Sequence, residues 1–200
     1  MKVGSMLKLG LTLAAFATAA CVSLALVYTA TEKIIARRSI SALEEALKDL
    51  FPEPFNFKEI TGTIKSPSNT VSFGSEYEIR RGEELLGAAI RASGPSYGGP
   101  ITILVGIDAE GRISGAKILE HSDTPGLGAN AASPGYFVNK AAGTTFYGQF
   151  TGKALSDPFE VKNDVATITA ATITSRAVAT VVKTSGIAAS EWIASLGDSQ

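Results

Sequence analysis

The chain has 200 residues, with 18 Lys and Arg against 19 Asp and Glu, and a formal net charge of -1. This length allows one domain with a proper core beside a separate N-terminal segment, and the lack of positive excess excludes a nucleic-acid partner. One Cys, Cys21, and one His, His121, cannot supply the ligands of a zinc site or an iron-sulfur cluster. We therefore predict no metal site, and any redox chemistry needs an organic cofactor.

The N-terminal segment is long and apolar. Residues 7–30 read LKLGLTLAAFATAACVSLALVYTA, with Lys8 as the one charged residue. About 20 apolar residues are enough to cross the hydrocarbon core of a bilayer. We predict that residues 1–30 form a short cytoplasmic tip and a single transmembrane anchor.

Two alternatives to an anchor are a cleaved signal peptide and a lipoprotein. Small residues that could suit a signal peptidase are Ala17, Ala19 and Ala20. The apolar run continues past them to Val27, which favours an uncleaved anchor. Acylation of Cys21 is disfavoured because Thr18 stands where an aliphatic residue is expected.

Charge does not fix the orientation of this anchor. Basic residues lie on both sides of it, namely Lys2, Lys8, Lys33, Arg37 and Arg38. Long domains are translocated largely regardless of charge. We expect a single-pass protein of the inner (plasma) membrane with its soluble domain on the extracytoplasmic side.

The next segments predict a helix and then strands. Residues 31–55 read as an amphipathic linker helix, stopped by Pro52 and Pro54. Its apolar positions recur three or four residues apart, at Ile40, Leu43, Leu47 and Leu50. Between residues 59 and 92, short runs such as TVSF and YEIRR are broken by Gly74 and Gly82, which predicts strands and turns.

A hairpin and a loop follow. The runs ITILVGI and ISGAKIL flank Asp108 to Gly111, a composition typical of a hairpin turn, so we predict an antiparallel pair. Beyond them, SDTPGLGANAASPGY lacks apolar periodicity and predicts an irregular loop at the end of the sheet. Such loops often carry functional sites.

The segment DVATITAATITSRAVATVVKTSG predicts a strand that leads into a helix. Its first half alternates through Val165, Thr167 and Thr169. Thr174 or Ser175 could cap the following helix, and Gly186 lies near its expected end. Hydroxyl groups thus cluster ahead of a helix N-terminus, where unpaired N–H groups stabilise a phosphate. Taken alone, the pattern is most often simply a Thr-rich strand that runs into a capped helix.

Familiar catalytic and nucleotide motifs are missing. The sequence has no GxSxG, GxGxxG or GxxxxGK[ST] pattern. His121 and Asp123 have no nucleophile signature beside them. We assign no catalytic residue.

Several segments, read together in chain order, point to one protein family. They are the anchor, SYGGPI, the VGID hairpin, HSDTPGLG, QFTGK and TAATITSRAV. The chain resembles the FMN-binding subunit family that includes RnfG of the Rnf electron-transport complex and NqrC of the sodium-translocating NADH:quinone oxidoreductase. The resemblance covers the whole chain and is strongest over residues 97–182. It implies an α+β fold in which a single N-terminal transmembrane helix precedes an FMN-binding domain, residues 56–200, with an antiparallel sheet and flanking helices.

The resemblance also implies how FMN is held. In the family, a [ST]GAT sequence carries FMN by a phosphoester on its final Thr, attached from FAD by a flavin transferase, and here that Thr is Thr172. The match departs at Ala170, where the family has Gly, and at Ala166, where it has Asp, with Asp164 displaced nearby. Ala170 lacks the freedom of Gly at positive φ. Non-covalent FMN and a flavin-free domain remain the alternatives.

Residues 121–128 match the family's HxETPGLG loop, with Asp123 in place of Glu. The resemblance implies that this loop lies along the flavin. The expected FMN-binding residues are Thr172 as the covalent acceptor, with Thr169, Ala171, Thr174, Ser175, Asp123, Thr124, Gly126, Leu127 and Gly128 around it. Weaker candidates are Tyr97, Gly98, Gly99 and Lys153.

The function implied is that of an electron carrier with no catalytic base. The resemblance favours a subunit of an Rnf-type complex, passing electrons between ferredoxin and NAD while other membrane subunits export Na⁺ or H⁺. An NqrC-like subunit is one alternative. A non-redox assembly module that has lost its flavin is another.

Overall fold

The structure is a computed structural model that describes the backbone of residues 3–197. Within that range, the side chains of residues 3, 5–7, 9, 30, 32–41 and 197 lie outside the description. The predictions made for Lys2, Lys33, Arg37, Arg38 and Ile40 therefore fall outside the described residues. The chain divides into two compact units, residues 1–45 and 46–200.

Helix α1 runs from Val3 to Leu50 and carries the apolar segment of the first unit. Its stretch Gly10–Thr29 has a mean hydropathy of 2.1 and no buried residue, and it is long and apolar enough to cross a membrane. Side-chain hydroxyls within and near this stretch donate to the carbonyl oxygen four residues earlier, as Thr12, Thr18 and Ser23 do at 2.8 Å. These hydroxyl protons are thereby satisfied without water.

The end of α1 belongs to the second unit. It stops at Leu50, just before Pro52, as the prolines predicted. Leu47 and Leu50 are buried within this unit, as the amphipathic pattern requires. Because α1 has no break near residue 31, the domain limits 1–30, 31–55 and 56–200 remain a prediction.

A five-stranded antiparallel sheet forms the centre of the second unit, in the order β1-β2-β3-β4-β5. The strands are β1 Asn56–Glu59, β2 Ser72–Arg81, β3 Glu84–Pro95, β4 Pro100–Asp108 and β5 Ile113–Glu120. The predicted hairpin is confirmed as β4 and β5, with Val105 paired to Ala116. Two very short strands, β6 Phe137–Asn139 and β7 Thr144–Thr145, pair separately beside the 3-10 turns Gly128–Ala132 and Gly148–Phe150.

Helix α2, Thr172–Gly197, packs on one face of the sheet against β3 and β4. Val178, Val181 and Val182 are at most 1% exposed and join the main core. On the other face, the glycines of β4 and β5 make room for Leu50, because a Cβ at Gly115 would lie 2.7 Å from Leu50 Cδ2. The expected α+β fold, with an antiparallel sheet and flanking helices, is confirmed.

The predicted strand through residues 165–169 is wrong. Val165 forms only an isolated parallel bridge with Val161, and the residues after it are irregular. The β-branched pattern was misleading because the N–H groups of Ile168 and Thr169 bond to side chains instead of a strand partner. Periodicity reports side-chain burial, not the identity of the hydrogen-bond partner.

The predicted ends of α2 also need correction. The helix begins at Thr172, so Thr174 and Ser175 lie in its first turn and neither is the N-cap. Gly186 does not end the helix, which continues to Gly197. Gly186 is needed for close packing instead, since a Cβ there would lie 2.9 Å from Ile113 Cδ1.

Candidate functional site

A cavity of about 370 Å³ opens at the start of α2. It brings together the loop after β5 and the threonine-rich segment, which are some 45 residues apart in the sequence. Its walls are formed by Tyr97, Asp123, Thr124, Leu127, Gly128, Ala170, Ala171, Thr172, Ile173 and Thr174. The volume lies within the range of small-molecule and cofactor sites.

Three large apolar side chains on the cavity wall face solvent. Tyr97 is 71% exposed, Leu127 41% and Ile173 55%. An aromatic and two aliphatic side chains beside one concave site form the kind of surface that a planar, partly apolar ligand covers.

Thr174 is a mostly buried residue on the cavity wall. The residue is 1% exposed, yet among residues 3–197 its Oγ1 has no hydrogen-bond partner. Gly128 makes room for this hydroxyl, since a Cβ at residue 128 would come within 2.6 Å of Thr174 Oγ1. Because Thr174 lines the cavity and its hydroxyl makes no hydrogen bond to the described residues, the hydroxyl is available to bond a ligand there.

Asp123 has both carboxylate oxygens engaged within the protein. Its Oδ1 accepts a hydrogen bond from the backbone N–H of Gly98 at 2.8 Å, and its Oδ2 accepts one from Ser96 Oγ at 2.7 Å. Gly98 is required for this approach because a Cβ there would overlap the Ser122 carbonyl oxygen. The carboxylate thus fixes the β3–β4 turn on both sides of Tyr97.

The acceptor motif is the segment of residues 169–172 that matches the family's [ST]GAT sequence. It forms a turn that ends at Thr172, the first residue of α2. Ala171 N donates to Ile168 O at 3.0 Å, which closes the turn. Ala170 has a φ of +58°, in the left-handed region where glycine is favoured. The turn thus requires a positive φ at residue 170, where the family has Gly. This chain has Ala there, in a strained backbone conformation. Thr172 follows, half-buried, on the cavity wall.

Several predicted residues do not line the cavity. Ser175 is buried, and its hydroxyl accepts from Ile168 N at 3.0 Å and donates to Ala171 O at 2.9 Å. Ser175 therefore supports the turn from inside. The other predicted residues outside the described cavity wall are Thr169, Gly126, Gly98, Gly99 and Lys153.

Lys153 forms an ion pair with Asp164 instead, with Nζ 2.7 Å from Oδ2. Partial burial raises the pKa of Asp164, but the hydrogen bond from Lys153, the backbone N–H groups of Glu160 and Phe159, and the Lys153 charge outweigh it. The pKa of Asp164 therefore lies below its ordinary value. This carboxylate is committed to the 159–164 turn and does not replace the acidic group that the family has at residue 166.

Sequence reasoning missed three residues around the motif. Ile173 was hidden because its apolar side chain falls inside an apolar helix pattern. Tyr136 and Gln149 hydrogen-bond the segment before Thr172 from other parts of the chain. For these two, the sequence holds no signal, because their contacts depend on tertiary structure.

Comparison with known proteins agrees with this geometry. Residues 96–185 match the FMN-binding domain family, and residues 1–50 match the RnfG N-terminal region. A relative from Cereibacter sphaeroides, named as a subunit of an ion-translocating oxidoreductase complex, is 32% identical over 177 residues, covering 84% of this chain and 77% of that protein. The chain belongs to the RnfG family.

Two further RnfG relatives cover similar shares. One, from the Na⁺-translocating ferredoxin:NAD⁺ oxidoreductase complex of Acetobacterium woodii, is 31% identical, over 86% of this chain and 85% of the relative. The other, from the proton-translocating ferredoxin:NAD⁺ oxidoreductase complex of Clostridium ljungdahlii, is 28% identical, over 80% and 78%. The resemblance to RnfG is confirmed, and the cofactor is FMN.

The residues on the cavity wall fit FMN. The first turn of α2 offers N–H groups for a phosphate, and the exposed apolar side chains suit an isoalloxazine ring. The Thr174 hydroxyl, which has no partner among the described residues, can bond a polar ring atom or a phosphate oxygen. Bound FMN supplies one- and two-electron transfer, and the protein supplies its position and environment.

Proposed function

We propose that this RnfG family member is an electron-transfer flavoprotein subunit of a membrane-bound, ion-translocating ferredoxin:NAD oxidoreductase of the Rnf type, with FMN bound covalently to Thr172. The observation that carries the proposal is the position of Thr172. It is the first residue of α2 and part of the wall of a cavity in the domain that matches the FMN-binding family.

The attachment reaction that we propose uses FAD as the donor and a flavin transferase as the enzyme. Thr172 Oγ1 forms a bond to the phosphorus on the FMN side of the FAD pyrophosphate. The bond from that phosphorus to the bridging oxygen breaks, AMP leaves with this oxygen, and the hydroxyl proton is released to solvent. The helix N-terminus beside Thr172 stabilises the negative charge that the phosphodiester retains.

After attachment, the chain's own residues set the environment of the cofactor. Tyr97 and Ile173 would cover part of the ring, and Thr174 Oγ1 would supply one hydrogen bond. No proton donor or acceptor is required for simple electron transfer itself. The chain thus acts as a carrier.

The partners of this carrier are the other membrane subunits of the complex. Two relatives are named as subunits of ferredoxin:NAD⁺ oxidoreductase complexes, one Na⁺-translocating and one proton-translocating. The stretch Gly10–Thr29 is long and apolar enough to cross a membrane. In our proposal it anchors the chain in the inner membrane, with the FMN domain on the extracytoplasmic side. Anchoring keeps the effective concentration of the flavin high at its electron donor and acceptor.

In-gel flavin fluorescence tests this proposal. The full chain is produced with a flavin transferase, exported and separated under denaturing conditions, beside the variants Thr172→Ala and Thr169→Ala. We expect a fluorescent band from the wild type and from Thr169→Ala, but none from Thr172→Ala. A dark wild-type band, from protein that binds FMN only before denaturation, would show non-covalent binding. Absence of flavin before denaturation as well would favour the flavin-free assembly module.

Orientation requires a separate measurement. A phosphatase reporter that is active only outside the cytoplasm, fused after residue 200, should be active if the domain is extracytoplasmic. A fluorescent reporter that matures only in the cytoplasm should then stay dark at the same position. The reverse pattern would place the FMN domain in the cytoplasm and contradict this part of the proposal.

A further inference from the structure

The segment that leads to Thr172 is held by side chains from other parts of the chain. Residues 166–169 belong to no strand, yet their backbone is not left to solvent. Gln149 Oε1 accepts from Ala166 N at 2.7 Å, and Gln149 Nε2 donates to Ala166 O at 3.2 Å. One amide side chain thus pairs with both polar groups of a residue, as a neighbouring strand would.

Tyr136 holds the other end of this segment. Its hydroxyl oxygen accepts from Thr169 N at 3.0 Å and lies 3.5 Å from Thr169 Oγ1. The backbone of Tyr136 is itself fixed, because its carbonyl oxygen accepts from Phe146 N at 3.3 Å. The phenol ring therefore links a fixed part of the domain to the residue that begins the acceptor motif.

These contacts leave the segment accessible. Ala166, Thr169 and Ala170 are exposed, while Ile168 between them is 1% exposed and anchors the segment in the core. A segment fixed within a sheet would have its backbone paired on both sides. Side-chain contacts hold this one in place while keeping an outer surface open to another protein.

We propose that Tyr136 and Gln149 are positioning residues for covalent flavin attachment. They hold residues 166–169 so that the turn at 168–171 presents Thr172 Oγ1 to the flavin transferase. This inference rests on the proposed function, because it concerns the reaction that places FMN on Thr172. Neither residue lines the cavity among the described residues, so neither is expected to touch the bound flavin.

The test measures the initial rate of FMN attachment at limiting flavin transferase, using full-length apoprotein and FAD. Tyr136→Phe removes only the hydroxyl, and we expect an attachment rate about fivefold lower, equivalent to the loss of one net hydrogen bond. Gln149→Ala removes both contacts with Ala166 and should lower the rate at least as much. The matched control is Tyr147→Phe, because Tyr147 is also half-buried but makes no hydrogen bond to residues 166–169 among the described contacts.

Amide hydrogen exchange on the apoproteins separates positioning from general damage. Tyr136→Phe should speed exchange at Thr169, and Gln149→Ala should speed it at Ala166, while exchange in β3 and β4 stays at the wild-type rate. Gln149→Glu keeps the acceptor for Ala166 N, so it should restore protection there if the alanine variant folds poorly.

The outcomes separate this inference from the function on which it rests. A wild-type chain that takes up no FMN would overturn both the proposed function and the positioning role of Tyr136 and Gln149. If the wild type takes up FMN and both Tyr136→Phe and Gln149→Ala take it up at the same rate as the wild type, only the positioning role is overturned. Unchanged exchange at Thr169 in Tyr136→Phe would also overturn it, because the contact would then not constrain the segment.

Discussion

Asp123 Oδ1 lies 2.8 Å from the backbone nitrogen of Gly98 and accepts a hydrogen bond from it. The same carboxylate accepts from Ser96, so Tyr97 is held between two fixed neighbours. The motif suggests that Asp123 contacts the flavin, but its hydrogen bonds instead hold the β3–β4 turn that places Tyr97 on the cavity wall. Its effect on the flavin should therefore be indirect.

Asp123→Ala should release the turn that carries Tyr97. We expect the free energy of unfolding to fall by about 2 kcal/mol, because hydrogen bonds to a charged acceptor are lost. The native fluorescence of bound FMN should rise, since an electron-rich phenol close to an isoalloxazine ring quenches its emission. Covalent attachment, read after denaturation, should persist.

Asp108→Asn is the matched control for the Asp123 variant. Asp108 Oδ1 accepts from Arg112 N at 2.7 Å in the hairpin turn at the opposite end of β4. This variant can lose stability but should leave native flavin fluorescence unchanged. Equal fluorescence in wild type, Asp123→Ala and Asp108→Asn would refute the role given to Asp123.

Ala170→Gly should stabilise the protein. Ala170 has a φ of +58°, and a non-glycine residue in this region costs about 1–2 kcal/mol. Glycine relieves that cost but increases the entropy of the unfolded chain, so we expect a net gain of about 1 kcal/mol in urea unfolding. Ala166→Gly, at an exposed residue without a positive φ, should give no gain. If both variants lost stability equally, the account of the strained turn would be wrong.

Thr174→Val should separate ligand binding from folding. The Thr174 hydroxyl has no partner among the described residues, so valine should change the free energy of unfolding of the apoprotein by less than about 0.5 kcal/mol. In the FMN-loaded protein, the absorption maximum and midpoint potential of the flavin should shift, because the hydrogen bond from Thr174 to the cofactor is lost. An apoprotein that is strongly destabilised, or a loaded protein with an unchanged spectrum and potential, would count against this role.

Ser175→Ala is the companion variant. Its hydroxyl bonds to Ile168 N and Ala171 O inside the protein, so its loss should lower the free energy of unfolding by about 1–3 kcal/mol. This contrast between neighbouring residues tests whether their hydroxyls have different roles.

Acid should weaken the protein partly through Asp164. The pKa of this carboxyl is lower in the folded state, so its stabilising effect is present above the unfolded pKa of about 3.9 and is lost as pH falls through the folded value. Asp164→Asn should thus be less stable than the wild type at pH 7, and the difference should shrink below about pH 4. Urea unfolding across this range measures it.

Asp49→Asn is the control for that pH dependence. Asp49 also pairs with a lysine, Lys117, at 2.6 Å, but its side chain is 60% exposed. Such exposed pairs contribute little, so this variant should follow the wild-type curve. A stability difference for Asp164→Asn that stayed constant from pH 7 to pH 3 would contradict the assigned cause.

The apolar and turn patterns were sufficient for the anchor, the β4–β5 hairpin and the end of α1. Each of these is set by local sequence, such as the prolines after Leu50. The segment before Thr172 could not be predicted in this way. Its backbone partners, Gln149 and Tyr136, are distant in sequence, so its β-branched residues suggested a strand that does not form.

In the candidate site too, some features could be predicted from the sequence and others depend on the tertiary structure. The motif resemblance predicted Thr172 and the loop around Leu127 as site residues, and the structure places both on one cavity wall. It could not distinguish the Thr174 hydroxyl, which has no partner among the described residues, from the internally bonded Ser175 hydroxyl. That distinction depends on where the first turn of α2 begins, two or three residues before the predicted cap.

Mass spectrometry of the chain isolated from its own membrane tests the central claim most directly. Trypsin should release residues 163–176, which contain Thr172 and the complete motif. We predict that this peptide carries the added mass of FMN less one water, with fragment ions that place the addition on Thr172. An unmodified peptide 163–176, recovered in full from native protein, would contradict covalent attachment and the electron-relay account built on it.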